Sequence, residues 1–582
     1  MSLLDPLPSE PTPHATRVRE PALTRVRERE PTLAHTIVAL RDRHDRGPIF
    51  LGEADAVRQI SFAALVGAVE DHARALAAAG ARQGERVGVI VPDPESFLVA
   101  FLGLARLGAV PVPLADAATI RDPARWVVHC AQILRAAGAT RLILGRERGE
   151  AGPHLAALCP GLVVHVLEDM SQKTGPDLPD PDSFAADEPA FLQFTSGSTG
   201  RPRGVRVSHR AIAANTHAIM VDGLQSGPDD VGVCWLPLHH DMGLIGFVLA
   251  PLRYRVPVVF MTPGAFIKQP RRWMEAVHRF RGSITFAPNF AYVLALRRAP
   301  ALTGLDLSCL RVLGCGAEPI HAPALHAFLA HHAPAGLRPH AILPCYGLAE
   351  ATLAVSFVAL DDRLRVDRIA AADYHADGHA RPARGDEPEL RFVSCGRPLP
   401  GHEILIVDDA GAPLPERRVG HILVRGPSLG DGYEHDPEAT AAAFTHQGLR
   451  TGDRGYLADG ELHVTGRSKD LVILHGRNYD PQDIERVVAE LPGVRDGKVV
   501  AFTRPGPDSE ALVLALEAHT REPAALAQQI RGHVARSLGL TVAEVVLLPT
   551  SALPRTTSGK LQRGLTRELH LRGRLAPKDM SP

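Results

Sequence analysis

Short apolar strands alternate with helical stretches along this chain, and that alternation limits its possible folds more than any other feature. An Ala/Leu-rich helical stretch ends near Gly80 and the run "RVGVIVP" comes after it; "ESFLVAFLGLARLG" then leads into "AVPVPL". The pattern resumes at "FLQFTSGSTG", "VPVVFMTP", "GSITFAPNF" and "LRVLGCGAEPI". Strands apolar on both faces and separated by helices form parallel sheets covered on both sides. The expectation is an α/β chain with parallel-rich sheets, and its 582 residues exceed what one core supports. Residues 1–33 carry six prolines, balanced charge and a repeated "TRVRE" at Thr16 and Thr24, a composition expected to stay disordered. Residues 360–392 break the alternation with the polar "YHADGHARPARGDEPE" and read as an insertion or a long surface excursion. Beyond Gly466, "KDLVILHGRN" and "PQDIERVVAEL" open a smaller α+β domain, with Asp480 before Pro481 as its helix cap. The division expected is a large domain over 34–466 and a small one over 467–582.

Charge and cysteine content narrow the function classes. Lys plus Arg is 64 and Asp plus Glu is 65, so no bulk attraction to nucleic acid or membrane is expected. The seven cysteines are dispersed, without a CxxC pair, as in reduced cytosolic proteins. The N-terminus has no basic-then-apolar leader, and no run of about 18 apolar residues occurs. A soluble cytoplasmic protein with no integral membrane association is the expectation.

The stretch "LQFTSGSTGRPRGVRVSH" places Thr195, Ser196, Gly197, Ser198, Thr199 and Gly200 after an apolar run and before Arg201, Arg203 and Arg206. Glycines let backbone amides approach an anion, hydroxyls add donors, and arginines offset the charge of a polyphosphate. No GKS or GKT comes next, so this is not a Walker loop. On these residues alone a Gly/Ser connector explains the loop equally well.

The companions of that loop are more specific. "GCGAEPI" from Gly314, "CYGLAEATL" from Cys345, "TGDRGYL" from Thr451, "TGRSKDLVILHGRN" from Thr465 and "LPRTTSGKLQR" from Leu553 succeed it in order. The set resembles the adenylate-forming enzymes: acyl-CoA synthetases, luciferases and nonribosomal-peptide adenylation domains. "WLPLHHDMGLIG", "MTPGAFIKQPRRWMEAV", "APNFAY" and "VSCGRPLPGHEILIVD" are similar to the fatty acyl-AMP ligase branch. In that branch an insertion before "VSCGRP" accompanies loss of coenzyme A use. The resemblance implies the adenylate-forming fold with a small mobile C-terminal domain. It also implies ATP and Mg²⁺ as cofactors, a fatty acid as substrate, and the phosphopantetheine of an acyl carrier protein or synthase as acceptor.

The resemblance also assigns roles. Lys560 matches the catalytic lysine, Glu350 the magnesium ligand, Asp453 the ribose acceptor, Arg467 a helper at the ribose and Lys469 the hinge. Gly316, Ala317, Glu318, Pro319, Tyr346 and Gly347 frame the adenine, with the tyrosine ring as stacking face. His240 lies at the expected carboxylate position, and Met242, Gly243 and Ile245 line an apolar acyl tunnel. Each has an ordinary counterpart: a solvated lysine, a helix-start glutamate, a turn aspartate, a structural histidine, core packing. Three positions depart from the pattern: Arg203 where lysine is usual, Cys315 where the branch often has asparagine, and Asp480 in place of an aromatic residue. An acyl-CoA ligase using free coenzyme A is the alternative activity. A retained nucleotide- or lipid-binding module is the non-enzymatic one.

Overall fold

The computed structural model describes residues 30–52, 56–116, 123–170, 175–195, 202–298, 303–474, 477–492, 494, 497–506, 510–518, 520, 522–555 and 561–575. Helices form where caps and apolar stripes coincide. The helix Pro94–Leu107 starts at Asp93, whose carboxylate accepts from the Ser96 amide at 2.8 Å, with Pro94 in the first turn. It ends at Gly108 (φ +79), where a Cβ would also lie 2.3 Å from the Phe184 ring. The helix Phe62–Ala78 is capped by Ser61 and packs beside it.

Two parallel arrays carry the large domain. A nine-stranded sheet runs Arg397–Pro398, Ala354–Phe357, Ile342–Gly347, Val312–Cys315, Ile284–Ala287, Gly232–Cys234, Val258–Phe260, Ile49–Leu51, Val57–Gln59. Its six inner strands, from Ile342–Gly347 to Ile49–Leu51, are parallel, and antiparallel pairs close both edges. A second, all-parallel sheet orders Val110–Pro113, Arg86–Ile90, Arg141–Leu144 and Val163–Val166. The run "FLQF", expected among the parallel strands, instead forms an antiparallel hairpin: Pro189–Thr195 pairs with Arg203–Ser208, Thr195 opposite Arg203. Residues Ser196–Arg201, between these two strands in the sequence, lie outside the described residues.

Three expectations change at the edges of this frame. Of the N-terminal tail, Glu30–Leu33 are packed: Glu30 is buried and paired with Arg255, and Thr32 caps the helix Leu33–Val38. The insertion is a folded unit. Strands Val366–Ala370 and Glu389–Val393 pair antiparallel around the helix Ala371–Asp377. Ile369, Tyr374, Leu390 and Phe392 form a small core with Tyr456 of the neighbouring five-stranded sheet. Its polar composition hides these four side chains. Asp480 does stand before the helix Pro481–Ala489, but its side chain makes no cap hydrogen bond; Tyr374 of the insertion donates its hydroxyl to it instead.

After Arg467 a single turn, Ser468–Asp470, leads to the C-terminal α+β unit. There Val499–Pro505 and Val542–Leu548 flank Glu510–Glu517, antiparallel and parallel respectively. Ile484, Leu514, Ile530 and Val534 fill one face of this sheet, and Phe502, Val513 and Val546 fill the other.

Candidate active site

The C-terminal ends of the parallel strands, the five-stranded sheet and the C-terminal unit enclose one cleft of about 2910 Å³. Open α/β sheets bind ligands at this end of their strands.

Asp453 lies on the long strand Gly448–Ala458 and is 7% exposed. Its two oxygens are already engaged: Tyr346 donates its hydroxyl to Oδ2 at 2.8 Å, and Arg467 Nε donates to Oδ1 at 3.0 Å. Arg467 sits opposite Asp453 in the strand register, so the pair is a cross-strand contact. Asp453 holds the Arg467 guanidinium above its ordinary range. The Tyr346 ring belongs to a buried cluster with Ile404, Val424 and Leu449 and also lines the cleft, and its hydroxyl does the polar work. Burial raises that phenol, with Asp453 adding to the shift.

Glu350 comes just after the strand Ile342–Gly347. Burial raises its carboxyl above the usual carboxylate range, and a 2.8 Å hydrogen bond from the Tyr433 hydroxyl opposes that shift. Arg203, from the hairpin, lies over the Tyr433 ring at 5.4 Å and 3.7 Å from Asp436. Guanidinium, phenol and carboxylate thus form one line from the hairpin to Glu350. Tyr433 escapes a motif-based reading; its only cue is an aromatic residue within the glycine-flanked "GDGYEHD".

The segment after the strand Val312–Cys315 is fixed sterically. A Cβ on Gly316 would lie 2.6 Å from Cys345 Sγ, and one on Gly347 would lie 1.9 Å from the Leu353 carbonyl. Ala317 takes φ +67, a conformation glycine prefers, at the cleft wall. Glu318 accepts from the Phe290 amide at 2.7 Å, and Asn289 accepts from the His321 amide at 3.0 Å, tying the segment to the helix Asn289–Arg298. Pro319 also lines the cleft. Cys315 does not: it is fully buried in the core.

His240 lines the cleft with its Nδ1 against the Asp241 carboxylate. His239 is half-buried and also lines the cleft, its carbonyl accepts from Gln193 Nε2 at 3.0 Å, and desolvation lowers its imidazole to about 3. Met242 and Gly243 line the cleft as expected. Ile245 does not. It is 0% exposed in the core, and Gly246 and Phe247 take the wall position. Ile245 opens a π-helical turn that runs to Leu249. Lys469 borders the cleft, its ammonium lowered by burial and by Arg467. Thr195 reaches the cleft; Ser196, Gly197, Ser198, Thr199, Gly200 and Lys560 lie outside the described residues.

The model of the family described as AMP-binding enzyme matches residues 39–434. The chain belongs to that family. Among curated relatives, a Caulobacter vibrioides protein named "Putative acyl-CoA synthetase" is 37% identical over 86% of this chain and 88% of its own length. The Mycobacterium marinum "Long-chain-fatty-acid--AMP ligase FadD26" is 35% identical over 82% of this chain and 86% of its own. A solved structure from a study of fatty acyl-adenylate ligases of E. coli and L. pneumophila superposes with a TM-score of 0.87 at 33% identity. It covers 94% of this chain and 98% of that one. The architecture is that of the adenylate-forming enzymes.

Proposed function

We propose that this chain is a fatty acyl-AMP ligase, acting on ATP and a fatty acid. The observation that carries this reading is the composition of the cleft. One end gathers Asp453, Arg467, Tyr346, Glu350, Tyr433 and Arg203, and the other is an apolar arm walled by Met220, Phe247 and Phe286. In the first half-reaction a carboxylate oxygen attacks the α-phosphorus of ATP, the bond to the β-phosphate breaks, and pyrophosphate leaves. Both reactants are anionic, so the protein's task is to offset charge and hold them in line. Arg203 and the Ser/Gly stretch face the β- and γ-phosphates, Asp453 accepts from the ribose hydroxyls, Gly316–Pro319 frame the base, and Lys560 reaches the reacting oxygens. His240 faces the fatty carboxylate.

Mg²⁺ suits Glu350. The described residues contain no group of three or more His, Cys, Asp or Glu able to hold a metal alone. Mg²⁺ takes one or two carboxylates and completes its shell with phosphates and water, neutralising phosphate charge. In the second half-reaction the phosphopantetheine sulfur of a carrier protein attacks the acyl carbonyl. The thiol gives its proton to solvent, and AMP leaves. The small unit from residue 467 onward turns about Lys469 to admit that thiol. On this reading the carrier protein is met in the cytoplasm. No helix among the described residues is long and apolar enough to cross a membrane.

Free coenzyme A as acceptor is the second reading, favoured by the name of the Caulobacter relative. A product assay with ATP, Mg²⁺ and fatty acids separates the two when run without acceptor, with coenzyme A, and with a phosphopantetheinylated carrier protein. Acyl-AMP with transfer to the carrier alone is the expected result. Efficient acyl-CoA formation overturns the acceptor, and absence of acyl-AMP with every fatty acid overturns the ligase.

A further inference from the structure

The apolar part of the cleft lining, its acyl arm, includes Met220, Leu224, Gly232, Phe247, Phe286 and Phe357. Two π-helical turns, Ala218–Gly223 and Ile245–Leu249, supply Met220 and Phe247. Such turns carry one more residue than an α-helical turn and recur where a helix is shaped around a ligand. Phe247 stands edge-on to Phe286 at 6.2 Å, and Phe286 lies 6.0 Å from Phe357, so three rings close this end of the arm.

Behind them is a second, wholly apolar void of about 20 Å³, bordered by Pro48, Phe62, Leu65, Leu98 and Val258. Phe247, Pro251 and Val256 line both spaces. Pro251 and Val256 are fixed by the chain, since the Val256 amide donates to the Pro251 carbonyl at 2.9 Å across the left-handed Arg255. The Phe247 ring is the one large side chain of the three.

We infer that Phe247 is the partition that sets the longest acyl chain this cleft accepts, because of the three residues that line both spaces it alone presents a large side chain. The inference rests on the fatty acyl reading above and names the residue that measures the substrate. A chain that stops short of the ring is bound by the arm alone. A longer one has no room until the ring is removed.

The test uses the full chain and unbranched saturated fatty acids of increasing length, read by acyl-AMP formation and, independently, by calorimetric binding of each acid. Phe247→Ala joins the two spaces. The expected result is a longer optimum, each methylene that enters the space left by the ring and the void improving kcat/KM and binding by about fourfold, with no such gain for acids too short to reach the ring. Phe247→Leu gives the same direction with less loss of packing. In the double variant F247A/L65F a ring refills the void from the far side, and the length optimum returns toward that of the native chain. A folded F247A or F247L, judged by its melting curve, with an unmoved optimum in both readouts overturns the partition while leaving the ligase standing. A native chain that neither binds nor adenylates any acid of the series overturns both.

Discussion

The two ends of the cleft are built on different principles. At the end proposed to hold the nucleotide the polar groups have partners of their own: both carboxylate oxygens of Asp453 are hydrogen-bonded, and Glu350 is held by Tyr433. At the acyl end shape is held by ring packing among Phe247, Phe286 and Phe357. Hydrogen bonds demand a particular donor or acceptor at a particular place, whereas an apolar wall accepts any side chain of suitable volume. The first end is therefore sensitive to the identity of single atoms and the second to bulk.

Lys560→Ala tests that contrast hardest. On the proposed function, loss of this cation is expected to slow adenylation by roughly 100- to 1000-fold, with ATP still binding, as single-turnover acyl-AMP formation and nucleotide titration will read. Asp453→Asn comes next. It disturbs the bonds from both Tyr346 and Arg467, and loss of a charged hydrogen bond of about 1.5–3 kcal/mol corresponds to an ATP KM raised roughly 10- to 100-fold.

Tyr433→Phe is smaller, about tenfold in kcat/KM, but it carries a sign. The Tyr433 hydroxyl favours the ionised form of Glu350 against burial. Without it the Glu350 carboxyl titrates higher, so the acid limb of the pH–rate profile moves to higher pH. A limb that stays in place would detach Glu350 from the reaction.

The smallest effect on turnover is expected at Asp480, a buried polar contact away from both ends. Burial, and then Asp483, raise its carboxyl in the folded chain. A raised folded value means that its contribution to stability is complete below the ordinary aspartate range and is lost as pH climbs toward neutrality. Asp480→Asn still accepts from Tyr374 and has no charge to bury. Chemical denaturation should find it more stable than the native chain at pH 8 and nearly equal at pH 4, with acyl-AMP formation unchanged.

The same contrast decides what can be read from sequence. Asp453, Glu350 and Arg467 stand in motifs because their chemistry admits few substitutes, and the structure brings them to one cleft. The resemblance assigns Ile245 to the tunnel, whereas the structure buries it and lines the cleft with Gly246 and Phe247. "FLQF" is apolar enough for a buried parallel strand, yet strand direction leaves no mark in composition, and it pairs within a hairpin. Residues 360–392 look like surface because four core side chains are diluted by charge. The cap expected at Asp480 gives way to a tertiary partner 106 residues away, which no local pattern announces.

The two π-helical turns also bear on how such a chain can change over generations. Each carries a surplus residue, so deletion of a single codon there would restore α-helical winding and shift which side chains fill that turn, with the remainder of the helix kept in place. At Ile245–Leu249 that deletion would swing another side chain into the place of Phe247 while the strands and the nucleotide end kept their registers. A new substrate range would then lie one in-frame deletion away, with no need to rebuild the core residue by residue.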